Sequence, residues 1–278
     1  MNLELEIVAG KLSPASGITS LVDNRAFLYG DGFFESMNWK NDRILFKDHH
    51  QIRLNQSLEL LSLKQNQWTD LDFVTSEIAK NVKSSQDYRL KICVFRKSSG
   101  FYLPNENETS IRLFLTEFEQ KYEPQLVGLS ASIYVDQAKA AGKFSNIKSL
   151  SSLLYIQASI DAKQKNLDEN LIINTDQNII EGSNSNVFFV KNDNKIVAPP
   201  ISDGSINGVM RQLILLHAPK AGYNIIEKSI SIQDIANIKE CWICNISRGL
   251  RWIKSIDDKQ LVNEKYLEFY NKIIPYLT

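Results

Sequence analysis

The sequence predicts a chain that mixes helices and strands, α+β in its first half and alternating strands and helices in a longer second half. Three observations carry this. The 278 residues are 43% hydrophobic and 23% charged, a globular profile long enough for one large or two medium domains. Strand-like runs, turns and apolar stripes at helical spacing follow one another along the chain. A polar segment holding Pro124, KYEPQLVG at residues 121–128, joins two strand-like segments and is the candidate interdomain linker. The domains so drawn are 1–120 and 129–278.

In the first half, Asn41-Asp42 separates FESMNWK from RILF, a hairpin signal. Asp48 is placed to cap a helix whose apolar stripe includes Leu54, Leu58 and Leu61. A second helix is expected from Thr69, with Asp72 completing a capping box. Strands are expected at 88–96 and 111–117, joined by the loop KSSGFYLPNENETS. The second half opens with an expected strand at 128–136. The polar loop QAKAAGKFSN then leads to Ile147-Lys148 and a helix over SLSSLLYIQASIDAKQK. Strands at 171–174 and 187–190 flank the stretch IIEGSNSNVFFV. The loop ISDGSINGVM opens a helix that Pro219 stops. A strand near 223–228, a short helix from Ser231, strands at 240–246 and 250–256, and a terminal helix over NEKYLEFYNKII complete the chain.

Lys and Arg number 32, as do Asp and Glu, so the zero net charge argues against a nucleic-acid footprint or an anionic membrane surface. The start, MNLELEIVAG, carries acids and no basic-then-apolar pattern, so no signal peptide is expected. No apolar run approaches the ~20 residues of a membrane span. Three cysteines fit a reducing compartment, and a cytoplasmic location is expected. Cys241 and Cys244 form a CxxC, but residues i and i+3 of a strand point to opposite faces, so two packed core thiols are expected rather than a zinc or redox site. Dinucleotide, P-loop, HExxH and GxSxG motifs are absent, and with histidines only at 49, 50 and 217 a metal site is not expected.

Four features remain as candidates for chemistry. In SINGVMRQ the amides of Val209 and Met210 begin a helix, where an anion is stabilised; an ordinary capped helix reads the same way. Arg53 shares a helix face with His50 and is able to grip a phosphate through two N–H groups; the plainer reading is a solvated arginine. Glu181 enters a polar bend, and a carboxylate beside a pyridine nitrogen keeps that nitrogen protonated; the plainer reading is an exposed hairpin residue. Lys148 follows Ile147 directly before the expected helix. The helix N-terminus, a neighbouring cation and burial each disfavour its charged form, as Schiff-base chemistry requires; a surface lysine is the alternative.

Taken in order, these segments resemble the class IV (fold-type IV) pyridoxal-phosphate enzymes. The matching pieces are YGDGFFES (29–36), HQIRL (50–54), KSLSSLLYIQA (148–158), EGSNSNVF (181–188), INGVMRQ (206–212) and CWICNIS (241–247), and they span nearly the whole chain. Glu181 follows Lys148 by 33 positions, which fits the family's separation. The resemblance implies two α/β domains, the larger C-terminal one carrying the cofactor lysine, with pyridoxal 5'-phosphate in the cleft between them and a homodimer as the working form. It implies that Lys148 carries the cofactor covalently and shuttles protons, and that Glu181 pairs with the pyridinium nitrogen. Arg53, the amides of Val209 and Met210 and donors near Ile246 and Ser247 then hold the phosphate. Ile206 packs on the ring, and Ser185 and Asn186 line the bend around it. Phe34, Arg96 and Tyr102 are expected on the substrate side.

The family includes branched-chain and D-amino acid aminotransferases and 4-amino-4-deoxychorismate lyases. NGVMRQ resembles the lyases, where aminotransferases more often carry Gly-Ile-Thr-Arg. The ICN at 243–245 resembles them too. Leu153 stands where branched-chain aminotransferases place a tyrosine, and RKSSGFYLP lacks the Arg-x-His trap of the D-amino acid enzymes. The expected activity is therefore release of 4-aminobenzoate, a folate precursor, and pyruvate. The alternatives are an amino-acid aminotransferase and a non-catalytic small-molecule-binding relative. Against the lyase pattern, KSSGFY lacks the glycine-rich, arginine-containing form of that loop, and Trp252-Ile253 replaces the family's Pro-Val. Arg96, Arg248 and Arg251 are the candidates to meet a substrate carboxylate.

Overall fold

A computed structural model describes residues 2–8, 11–14, 24–83, 86–119 and 121–277. Met1, Ala9 and Gly10, part of the N-terminal stretch read above, lie outside the described residues. The chain divides into two units, one of Met1–Gln120 with Ile147–Ser151, the other of Lys121–Asn146 with Ser152–Thr278.

The first unit holds β1 (Asn2–Val8), β2 (Lys11–Pro14), α1 (Arg25–Tyr29), β3 (Gly32–Lys40), β4 (Arg43–Ile44), α2 (Lys47–Leu60), α3 (Leu71–Ala79), β5 (Tyr88–Arg96) and β6 (Thr109–Glu117). Its strands form one antiparallel sheet in the order β2-β1-β6-β5-β3-β4. Strand alternation puts Phe33, Met37 and Trp39 of β3 with Leu90, Ile92 and Val94 of β5 on one face. There they bury against Leu54 and Leu58 of α2 and Leu71, Val74 and Ile78 of α3. Each leucine so buried contributes about 2–3 kcal/mol. Asn41 and Asp42 both take left-handed φ (51° and 57°), as a two-residue hairpin turn requires.

Two expected caps are placed differently. Phe46, not Asp48, is the N-cap of α2; Asp48 lies in the first turn, where its charge meets the positive helix end. Asp70 caps α3 by accepting from the Asp72 amide, while Thr69 closes a capping box with Asn66 on the preceding 3₁₀ turn. The segment Ile147–Ser151 falls within the range first assigned to the C-terminal domain, yet it belongs to this unit. Lys148 O accepts from Phe34 N (2.9 Å), Leu150 N donates to Gly32 O (3.0 Å), and Ser149 bridges Phe33.

The second unit holds β7 (Leu129–Lys139), α4 (Leu153–Gln164), β8 (Glu169–Asn174), β9 (Ile179–Gly182), β10 (Asn186–Lys191), β11 (Ile196–Ala198), α5 (Val209–His217), β12 (Ile225–Glu227), β13 (Ile238–Asn245), β14 (Gly249–Ile256), β15 (Lys259–Gln260) and α6 (Tyr266–Ile273). Its sheet runs β12-β11-β10-β13-β14-β7-β8-β9, with β15 on β14. Because β9 pairs with both β8 and β10, the strands β10-β13-β14-β7-β8-β9 form a closed ring of pairings. The parallel pair β7 and β8 is connected through α4, as a parallel crossover requires. One face of this sheet buries Leu171, Ile173, Val187, Phe189, Cys241, Ile243 and Ile253. The other packs Tyr134, Ile172 and Ile180 with Ala158 of α4. Cys241 and Cys244 are both buried free thiols, and burial pushes Cys244 up to about 12. Two boundaries matter below. The strand β7 runs on to Lys139, past the expected end at 136. The helix α4 starts at Leu153 rather than directly after Lys148, so Lys148 does not sit at its N-terminus.

Candidate active site

Glu181 lies on β9 between Ile172 of β8 and Asn186 of β10. It is 2% exposed, which excludes the exposed-hairpin reading. A buried carboxylate needs donors, and three are present. Oε1 accepts from Lys139 Nζ (2.8 Å) and Tyr155 OH (2.8 Å), and Oε2 accepts from the Ile206 amide (2.9 Å). Lys139 Nζ also donates to the Tyr155 hydroxyl oxygen (2.7 Å), so the three side chains form a closed triangle. Burial first, then the neighbouring Glu181 charge, push the Tyr155 phenol far above its ordinary range, and it stays a protonated donor. A carboxylate offers about two acceptor positions per oxygen. Oε1 is doubly engaged, whereas Oε2 carries a single donor.

The polar bend after Glu181 has a second anchor. Ser183 N (2.9 Å) and Ser183 Oγ, Ser185 Oγ (3.3 Å) and Asn170 N (3.1 Å) all donate to the buried Glu169 carboxylate. Glu169 is an odd number of residues from Ile172, the partner of Glu181, and so lies on the opposite face of the sheet. Ser185 is thus turned toward Glu169, while Asn186 stays with Glu181. Asn186 Nδ2 donates to Ile206 O (2.8 Å), so Ile206 is gripped at its carbonyl by Asn186 and at its amide by Glu181.

Two residues on, Gly208 is the N-cap of α5 and makes no side-chain cap bond. A Cβ at Gly208 would sit 2.0 Å from Asn186 Oδ1, so no larger residue fits while that asparagine keeps its place. The buried Val209 and Met210 therefore begin α5 with no capping side chain at the positive helix end. Arg211 of the same helix is fixed by Pro199 O (2.9 Å) and Glu227. At 245–247, where donors near Ile246 and Ser247 are expected to meet a phosphate, the loop is closed by Asn245 and Tyr122. Ser247 N (3.1 Å) and Arg248 N (2.8 Å) donate to Asn245 Oδ1, and Ile246 O accepts from Tyr122 OH.

In the first unit the chain bonds between 148–150 and β3 bring Lys148 to Phe34, with Nζ 4.6 Å from the ring centroid. Glu35, next along β3, falls on the core face between Phe33 and Met37. Its buried charge is met by Arg53 Nε (2.7 Å) and Nη2 (2.6 Å) and by His50 Nδ1 (3.0 Å). Burial would raise the Glu35 carboxyl, but Arg53 and His50 overcome it and take it to about 2. Burial holds His50 below the ordinary imidazole range. The shared helix face of His50 and Arg53 was legible in the sequence; their common partner was not.

Arg96 does not have the geometry of a substrate clamp. Its guanidinium is committed to Asp31, the carbonyls of Leu61 and Ser62, and Asn107. Asp31 is shared with Arg25, which also donates to the carbonyls of Gly100, Phe101 and Tyr102. The two arginines thus brace the loop that presents Tyr102, whose side chain is exposed beside Tyr29. Arg251 pairs with Ile243, which pairs with Val187, so it lies on the face of the sheet opposite Asn186. The sequence reading missed Lys139, Tyr155, Glu35, Glu169 and Arg25. For Glu35 a signal existed, its place between Phe33 and Met37 at period 2. Lys139 sat in a segment that reads as a polar loop.

The fold defines the class first. The structure matches a hypothetical aminotransferase from Mycobacterium tuberculosis in its PLP-bound form (PLP, pyridoxal phosphate), with a TM-score of 0.80 at 16% identity, over 100% of this chain and 99% of that one. The class IV aminotransferase profile matches residues 32–256, and the chain belongs to that family. It is 24% identical to a probable branched-chain-amino-acid aminotransferase of Rickettsia bellii, over 96% of this chain and 95% of the relative. It is 25% identical to an aminodeoxychorismate lyase of Vibrio harveyi, over 84% of this chain and 86% of the relative.

Proposed function

We propose that the protein is a pyridoxal-phosphate enzyme that converts 4-amino-4-deoxychorismate to 4-aminobenzoate and pyruvate, supplying a folate precursor. The observation that carries the cofactor reading is the buried Glu181 carboxylate with an acceptor position left on Oε2, which suits a ring N–H. The start of α5, with no capping side chain at Val209 and Met210, suits a phosphate. When bound, pyridoxal phosphate supplies an electron sink for the charge left on a substrate carbon. Lys148 Nζ would hold the group covalently and would serve as the base that moves a proton at that carbon. Glu181 would hold the ring nitrogen, with Ile206 and Asn186 beside it. Arg53, oriented by Glu35, and, in the second unit, the α5 amides are the groups proposed to hold the phosphate.

Two lyase-like features support the choice of reaction, and both lie beside Asn186. NGVMRQ forms the start of α5, where Gly208 abuts Asn186, and Cys244 of ICN pairs with Asn186 across β10 and β13. The second reading, a branched-chain aminotransferase, is favoured by the near full-length similarity to the R. bellii protein. A paired assay decides. Purified enzyme with aminodeoxychorismate is expected to release pyruvate and 4-aminobenzoate in equal amounts. Amino exchange between branched-chain amino acids and 2-oxoglutarate, with no pyruvate formed, overturns the lyase.

The working form is a homodimer in this reading. Leu153, Ile156 and Ile160 stand at i, i+3 and i+7 on α4 with 63%, 52% and 44% of their surfaces exposed, a stripe suited to a second copy. Sedimentation is expected to give twice the chain mass at micromolar concentration; a single-chain mass there refutes the dimer. Among the described residues no helix is long and apolar enough to cross a membrane, and the reading places the enzyme in the cytoplasm.

A further inference from the structure

We infer that Lys139 and Tyr155 are positioning residues that hold Glu181 as a carboxylate with Oε1 occupied, so that Oε2 alone presents an acceptor to the cofactor ring. The inference rests on the proposed role of Glu181 and goes beyond it to the groups that make that role possible.

A carboxylate 2% exposed on an interior strand is costly to ionise unless a cation and hydrogen-bond donors replace the lost water. Lys139, at the end of β7, is the cation, 2.8 Å from Oε1. Tyr155, on the first turn of α4, adds a donor to the same oxygen at 2.8 Å. The Ile206 amide is on Oε2 at 2.9 Å. The strands on either side place Ile172 and Asn186, both uncharged, directly opposite Glu181. The groups that set its charge and direction are thus Lys139 on β7 and Tyr155 on α4. In this inference both act through Glu181. With Oε1 pinned by two donors from two elements, the carboxylate has no freedom to rotate, and its remaining acceptor direction is set before any ligand arrives.

The test uses apoenzyme of the full chain, titrated with pyridoxal phosphate and read by cofactor affinity and by the visible band of the bound cofactor. Wild type is compared with Lys139→Met, Lys139→Arg, Tyr155→Phe and Glu181→Gln between about pH 6 and 8. Without the lysine, the buried carboxylate loses the cation that offsets its charge and one of the two donors that fix its direction. Lys139→Met is therefore expected to bind about tenfold more weakly, with a shifted visible band. Lys139→Arg restores the wild-type affinity and band. Tyr155→Phe, which removes one oxygen and leaves the fold intact, is expected to bind about 3–10-fold more weakly with a shifted visible band. Wild-type affinity and band in both Lys139→Met and Tyr155→Phe, with Glu181→Gln impaired, overturn this inference alone. Wild-type behaviour in Glu181→Gln as well overturns the cofactor role of Glu181 itself. Should Lys139→Met fail to fold, the Tyr155→Phe result decides.

Discussion

Lys148→Ala is expected to eliminate turnover, by about 10³-fold or more, and to remove covalent cofactor capture altogether. The size follows from two losses at one atom. In the proposed role the amine is both the attachment point and the proton carrier, and positioned proton transfer by itself is worth about 10²–10⁴-fold. Phe34 and the pairing of 148–150 with β3 fix where that amine stands; Lys91 Nζ lies 4.5 Å from the same ring, so the peptide carrying the adduct must separate the two lysines. Lys143, five positions earlier on an exposed turn, is the control, and Lys143→Ala is expected to behave as wild type. Borohydride treatment followed by peptide mass mapping provides the readout. The reduced cofactor should be found on the peptide bearing Lys148 in wild type and in Lys143→Ala, and on no peptide in Lys148→Ala. A cofactor adduct on another lysine, with activity retained, excludes the assignment.

Glu35→Ala is expected to be the most destabilising of the substitutions considered, by about 3–5 kcal/mol, because it takes from the buried Arg53 guanidinium the carboxylate that meets its charge. The same group predicts an acid limit to stability in the wild type. The Glu35 carboxyl is taken from 4.5 to about 2 in the folded chain, against its burial, by Arg53 and His50. A carboxyl depressed on folding contributes stability that is fully present above its unfolded value and is lost as pH falls toward its folded value. The window is therefore about pH 4.5 down to 2, and the amount about 3 kcal/mol. His50 acts in the same direction. Its imidazole is lowered by burial, so it too resists protonation while folded and favours unfolding in acid. Urea midpoints measured through this range should fall steeply for wild type and much less for Glu35→Gln. A wild-type midpoint and slope in Glu35→Gln would remove the carboxylate from this account. Cofactor affinity is expected to drop in the same variants, since Glu35 orients the arginine proposed for the phosphate.

Much of the fold was legible because its signals are local. The hairpin at Asn41-Asp42, the stripe of Leu54 and Leu58, the ladder of Tyr88–Arg96 and the helix ended by Pro219 each depend on residues a few positions apart. Where competing local acceptors existed, the choice was not legible. Asp48 and Thr69 are both acceptable caps by residue type; the path of the chain from β4 put Phe46 at the first cap, and the 3₁₀ turn before α3 took Thr69 and left Asp70 at the second. The expected helix directly after Lys148 failed for a related reason. The residues 148–150 pair with β3, far away in sequence, and that pairing wins over helical propensity.

For the candidate site the division is sharper. By itself the sequence determined the order and spacing of Lys148, Glu181, Asn186 and the Gly208 turn, and through them the family. Those are properties of short segments whose backbone needs are local: a strand that must end, a glycine that must admit an asparagine. Only the tertiary structure decided which charges meet. It turned Ser185 to Glu169, bound Arg96 to its own loop, set Arg53 on Glu35, and carried Lys139 and Tyr155 from two other elements to Glu181. A buried charge is settled by whatever partner the packing brings within about 3 Å, and that distance is not written in sequence separation.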